Sequence, residues 1–350
     1  MKREVIKIIL FLVVAILIFY GYAKLKRKAK KIIIGLAGDT MLARLVNKKM
    51  DLVGYTYVWG NVLPILKKND INLINLINLE TTLTKSEKKV PKVFNFKATP
   101  NKVQALKEAN IRIVNLANNH MLDFYYEGLL ETLQTLDNAK IKHIGAGANI
   151  HQARKPIIIE KNGINIGFIG YTDYPLNWKA TENKPGTNVI KIGDIEQIKK
   201  DIKEVREKVD LLIMSIHWGP NKRQRPTKEF QKFAHEIIDA GIDIIHGHSA
   251  HIFQGIQLYK NRLILYDTGD FVDDYRVGPE IRNDWSFLFQ VTIDKTGIKK
   301  LTLIPLFIDN MQVNIATGKE KENIIKHMQK LSRELGTQIG DNLEIKIDKK

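Results

Sequence analysis

The chain contains no cysteine among its 350 residues. That excludes disulfide staples and thiolate metal sites and leaves the redox compartment open. A bound metal would have to be held by His, Asp, Glu or Asn, donors that suit manganese, iron or zinc. Histidine is itself scarce, nine in all, so a cluster of histidines carries weight. There is no internal repeat and no low-complexity tract, which excludes a repeat array. Acidic residues are in deficit, 38 against 55 Lys and Arg, for a formal charge of +17. Residues 1–31 hold nine of the basic residues and one Glu, so +8 of that charge is local. The remaining excess reads as a lysine-rich solvated surface that also favours a polyanionic partner; no nucleic-acid partner is expected.

One long hydrophobic run is present. "VIKIILFLVVAILIFYGYA", residues 5–23, has the length of one membrane-spanning helix. Phe19, Tyr20 and Tyr22 stand near its end, where an interfacial belt belongs. The adjoining "GYAKLKRKAK" is a poor cleavage site, so the run is expected to be an uncleaved anchor after a four-residue tail. Residues 24–31 form a basic linker suited to anionic headgroups. The Lys and Arg after the span outnumber those before it, which by charge alone keeps the domain beyond it cytoplasmic.

From residue 32 to about residue 318 short β-type runs alternate with helix-type segments, the pattern of an α/β domain. Strands are expected at 31–38, 71–79, 111–117, 210–216 and 242–247, with helices at 101–110, 126–139, 194–209 and 227–241. Residues 156–172 read as a hairpin turning at Asn162–Gly163. Residues 253–270 and 287–308 read as further antiparallel pairs. A surface helix at 320–336 and a lysine-rich end complete a C-terminal segment, 319–350.

The residues just past each parallel-type run are the informative ones. Asp39 comes after the first, Glu80 after the second, and "NNHMLD" (Asn118 to Asp123) after the third. His217 comes after the fourth, and "HGHSAH" brings His246, His248 and His251 at the fifth. In open α/β sheets the carboxyl ends of strands form the ligand crevice, so distant residues converge there. Five strands ending in hard or borderline donors predict a metal site. His246 has weaker company and reads as structural, as do His143, His151, His235 and His327.

The segments "GDTMLAR", "NLE", "ANNHMLD", "HWGPN", "GHSAH" and "YDTGDFVDDY", in this order, resemble the bacterial CapA family of poly-γ-glutamate capsule synthesis. That family is similar to the calcineurin-like metallophosphoesterases. The resemblance implies a four-layer αββα sandwich with a divalent metal centre of one or two ions. It implies metal ligation by Asp39, Glu80 (bridging), Asn119, His217, His248 and His251, and leaving-group protonation by His120. Two departures stand out: Met41 occupies a position where the phosphoesterases carry a ligating histidine, and Ser249–Ala250 replace the middle pair of the last motif. The resemblance also implies a domain outside the membrane, against the charge count. Expected partners are the membrane, an anionic polymer such as poly-γ-glutamate or a phosphoester, and other capsule-synthesis membrane proteins.

Given that resemblance, Asp123 would orient His120, while Arg44, Arg223 and Arg225 are candidates to bind phosphate or carboxylate. Asp267 and Asp270 are expected to orient histidines, and Trp218 to pack the site wall. The two functions left open are a metal-dependent hydrolase or transferase and an accessory protein that binds polyglutamate without cutting it.

Overall fold

Residues 32–40, "IIIGLAGDT", are buried almost throughout and form β1 (Ile32–Thr40), a strand covered on both faces. This computed structural model describes residues 31–68 and 73–347, together with Glu4 and Val13. The expected anchor at 5–23 therefore lies, Val13 apart, outside the described residues. Among the described residues no helix is long and apolar enough to cross a membrane.

The strands of the two large sheets begin with β1, β2 (Leu73–Leu79), β3 (Ile111–Asn115) and β4 (Lys142–Ile144). They continue with β5 (Ile157–Lys161), β6 (Ile164–Thr172), β7 (Leu211–His217), β8 (Ile244–His248), β9 (Ile256–Tyr259) and β10 (Arg262–Leu265). The last are β11 (Asp270–Val272), β12 (Trp285–Asp294), β13 (Gly297–Asp309), β14 (Gln312–Ile315) and β15 (Glu344–Lys346). The first sheet runs β14-β13-β12-β1-β2-β3-β4, with β11 beside β1 and β15 beside β13. Strands β1 to β4 are mutually parallel, and β12 joins β1 antiparallel. The second sheet runs β9-β10-β8-β7-β6-β5, parallel at its centre and antiparallel at both edges.

The sheets pack face to face through Ile34, Leu36, Leu76 and Ile113 of one and Ile166, Phe168, Ile213 and Ile244 of the other. Helices α1 (Arg44–Val53), α2 (Val103–Glu108) and α3 (Tyr125–Asn138) cover the outer face of the first sheet, through Val46, Leu106 and Leu129. Helices α4 (Glu196–Arg206) and α5 (Lys228–Asp239) cover the second, through Ile202 and Phe233. The result is the four-layer αββα arrangement that the sequence resemblance implies. Helix α6 (Gly318–Glu334) adds Ile324, Met328 and Leu331 to the inter-sheet core.

Local chemistry explains most boundaries. Asn162 and Gly163 both take positive φ, 55° and 74°, as a two-residue hairpin turn requires. Thr227 caps α5 by accepting from the Phe230 amide, and Gly241 turns the chain out with φ 121°. Helix α1 is not signalled in the sequence: no side chain caps it, and its buried face is only Val46 and Met50. Strands β7 and β8 run one residue further than expected, so His217 and His248 are the last residues of their strands.

Candidate metal centre

The carboxyl ends of β1, β2 and β3 in one sheet meet those of β7 and β8 in the other. His217 Nε2 lies 3.1 Å from Glu80 Oε1, and His248 Nδ1 lies 3.6 Å from Asp39 Oδ1, both contacts bridging the sheets. After β8 the chain turns through Ser249 and His251, with φ 115° and 58°. This turn places His251 Nδ1 3.4 Å from Asp39 Oδ2 and 2.8 Å from Asp270 Oδ1. Asp39 also accepts from Asn78 Nδ2 at 2.7 Å and from the Ser249 amide at 3.1 Å.

Among the described residues, Glu80 Oε2, Asn119 Oδ1, His217 Nδ1, His248 Nδ1 and Asp270 Oδ2 are buried without a hydrogen-bond partner. Buried polar atoms are nearly always paired. Other unpaired buried atoms lie elsewhere, on Asn47, Asn75 and His143 for example, but these five belong to residues at the converging strand ends. Ligand atoms of Asp39, His217 and His248 lie within 4.8 Å of one another, as do those of Asp39, His251 and Asp270. Imidazole and carboxylate donors this close together fit a divalent cation, and the unpaired Asn119 Oδ1 lines the adjoining pocket with His217.

The charges agree with that fit. Burial, and then Glu80, push Asp39 well above the ordinary carboxylate range. Burial also works to raise Glu80, but His251 and the His217 hydrogen bond outweigh it and hold Glu80 at about 2. Burial works to neutralise His251; Asp270 and Glu80 reverse this and lift it well above its usual value. Burial and the neighbouring His246 depress His248. Three buried carboxyl groups thus crowd one imidazolium, and burial drives two of them, Asp39 and Asp270, toward the neutral form, a cost that a bound cation would relieve.

His120 stands beside this set. Its Nδ1 lies 2.7 Å from Asp123 Oδ2, and its ring stacks on Phe96 at 3.7 Å. Asp123 also accepts from the Phe96 amide at 2.7 Å, which fixes the carboxylate that fixes the histidine. Lys92 completes the group, with Nζ 2.9 Å from Asp123 Oδ1 and 3.3 Å from His120 Nδ1. Sequence reasoning misses Lys92, which sits in the aperiodic polar stretch "KSEKKVPK" where no spacing distinguishes one lysine from another. An open pocket of about 500 Å³, lined by Asn119, Asp173, Tyr174, His217 and Ser249, leads to the site.

The arginines separate. Arg44 lies beside the Phe96 and Tyr275 rings that pack on His120 and His251, and is 3.3 Å from Asp274 Oδ1. Arg223 packs 3.7 Å over Phe230, its guanidinium buried and without a hydrogen-bond partner among the described residues. Arg225 is held by Glu334 at 2.6 and 2.9 Å on α6, so its fork is engaged away from the crevice. Asp267 orients backbone rather than a histidine, accepting from Ala250 and Gly269 amides at 2.7 and 2.9 Å. Trp218 is core wall, its Nε1 donating to the Tyr266 carbonyl at 2.8 Å. His246 is buried against Ser215 Oγ and the Ala37 carbonyl, 3.1 Å from each. Met41 points into the helix-side core and supplies no donor to the cluster.

Fold and site together define a class: a four-layer α/β protein with a His and carboxylate cluster that could hold a divalent metal where its parallel strands end. Within that class the chain belongs to the bacterial capsule synthesis protein family PGA_cap, whose model matches residues 33–275. It is 29% identical to the capsule biosynthesis protein CapA of Bacillus anthracis, over 93% of this chain and 80% of that one. It is 30% identical to the PGA biosynthesis protein CapA of Bacillus subtilis, over 77% and 70%. A probable polyglutamine synthesis accessory protein of Mycobacterium tuberculosis is 31% identical over 86% and 83%. Among solved structures the chain is similar to the NAD nucleotidase of Haemophilus influenzae, with TM-score 0.44 and 15% identity over 87% of this chain. The match spans 63% of that nucleotidase, less than two thirds of its length.

Proposed function

We propose that the chain is a membrane-anchored protein of anionic capsule-polymer synthesis, of the poly-γ-glutamate type, and that its crevice is a metal-assisted hydrolase or transferase. Its substrate would be a phosphoester or an amide of an anionic polymer. The observation that carries this reading is the coincidence of orphaned ligand atoms with an oriented His120–Asp123 pair. The names of the Bacillus relatives supply the polymer.

Glu80, Asn119, His217 and His248 would hold the ion. Bound there, a divalent cation polarises a substrate oxygen and lowers the pKa of water toward neutrality. The remaining chemistry belongs to the chain. His120 has its Nδ1 committed to Asp123, so proton transfer falls to Nε2. Burial pushes the ring below its ordinary pKa while Asp123 pulls it back. An arriving substrate anion favours the imidazolium, which then protonates the leaving group. Arg44 would receive a carboxylate or phosphate.

A second reading, polymer binding without turnover, draws on the non-ligating Met41 side chain. Loss of His120 separates the two. In the full chain purified in detergent, His120→Ala is expected to lower turnover of p-nitrophenyl phosphoesters by about 100-fold or more, with metal content unchanged. If polymer output in cells survives His120→Ala but not loss of the folded domain, the binding reading replaces the catalytic one.

A further inference from the structure

Position 41 leaves one side of the crevice a ligand short by the phosphoesterase pattern. The structure places a different side chain there. Strand β11 pairs parallel with β1 so that Asp39 and Asp270 are register partners, and the Asp39 amide donates to the Gly269 carbonyl at 2.9 Å. Both carboxylates are 1% exposed. His251, in its left-handed turn, bonds Asp270 Oδ1 with Nδ1, while Asp270 Oδ2 is buried without a partner among the described residues. A carboxylate that only oriented His251 would need one oxygen. The second oxygen meets no donor among the described residues and stands by the buried Asp273 carboxyl, whose own Oδ2 is likewise unpaired, so two desolvated carboxyl groups adjoin, which is costly unless a proton or a cation lies with them.

We propose that Asp270 is a metal ligand, and that Asp39, His251 and Asp270 form a second cation pocket beside the one built on His217 and His248. The proposal rests on the metal-centre reading of the crevice and extends it. Asp39 belongs to both ligand groups and would be shared by the two ions. The position vacated at Met41 is thus compensated from a strand more than 200 residues away. Hard carboxylate oxygens supply two of the three side chains, so manganese or iron suits this pocket better than a site of imidazoles alone.

The test uses the full chain in detergent, stripped of metal, loaded with Mn²⁺ and dialysed. The wild type is expected to retain two Mn²⁺ per chain with an exchange-coupled electron paramagnetic resonance signal. Asp270→Ala is expected to retain one, with an uncoupled six-line spectrum. Asp270→Asn can still accept the His251 Nδ1 hydrogen bond in the metal-free protein but lacks the charge. It is expected to bind the second ion at least about tenfold more weakly, with an unchanged melting temperature of the metal-free protein. Retention of two coupled ions at wild-type affinity in both variants overturns the ligand role of Asp270 and leaves the metal-centre reading intact. A wild type that holds a single ion, unaffected by either variant, overturns it equally. A wild type that binds no Mn²⁺, and no Zn²⁺ or Fe²⁺ in parallel loadings, removes the metal-centre reading itself.

Discussion

His246 and His248 are two residues apart on one strand, and burial treats their rings alike. Their neighbours do not: His246 has partners for both nitrogens, whereas His248 Nδ1 has none among the described residues. His246 therefore reports the physics of an inert buried imidazole. Burial lowers its pKa to about 4. Above pH 6.5 the ring is neutral folded or unfolded. Between pH 6.5 and about 4 the unfolded ring takes a proton that the buried ring refuses, so stability falls as pH falls. The shift corresponds to a loss of about 3 kcal/mol. Urea midpoints measured from pH 7.5 to 4.5 are expected to fall less steeply for His246→Gln than for the wild type. Parallel curves would remove His246 as a source of acid sensitivity. The donor types at strand ends were legible in the sequence because they recur at one place in five successive units. Which nitrogen or oxygen lacks a partner was not, because that depends on side chains hundreds of positions away.

At the level of elements, the hairpin at Asn162–Gly163 and the capped helix α5 arise from local signals, and both formed where expected. Strand β11 shows the limit. The stretch "YDTGDFV" reads as the end of an antiparallel pair, and β9 and β10 do pair that way. Yet β11 leaves that sheet and lies beside β1 in the other. Gly38 makes this approach feasible: a Cβ there would sit 1.7 Å from the Gly269 carbonyl oxygen, which is backbone and cannot swing aside. Gly38→Ala is expected to displace β11 and destabilise the fold by about 3 kcal/mol. A lowered melting temperature with weakened metal retention is the expected outcome. An alanine variant with wild-type melting would mean that β11 tolerates the shift. Apolar pattern specifies buried faces but not which neighbour a strand joins, and so the sequence reads as an antiparallel pair ending at residue 270, with no separate strand over 270–272.

For the whole molecule, the proposed anchor at residues 5–23 raises the question of which side of a membrane the domain would occupy. The Lys and Arg count around residues 5–23 points inward, while the family resemblance implies a domain outside. We expect the domain outside, because a short N-terminal tail gives the charge rule little to act on. Protease added to intact cells should digest the domain, and complete protection would reverse the assignment. If the domain binds polyglutamate as proposed, its basic balance would make retention salt-dependent. Binding to immobilised polyglutamate is expected to weaken by about tenfold or more between 50 and 500 mM NaCl, since exposed charges beyond a Debye length are screened. Retention unchanged by salt would locate recognition in buried contacts instead.

Composition and order alone determined that this is an α/β chain with thiol-free metal donors set at successive strand ends, since period, capping and donor type are local properties. Only the tertiary structure decided that Arg225 is spent on Glu334, that Lys92 joins His120 and Asp123, and that Asp270 stands beside Asp39. Those outcomes depend on two sheets packed face to face with their strand ends converging and on one short strand changing sheets, and distance in space is not written in distance along the chain.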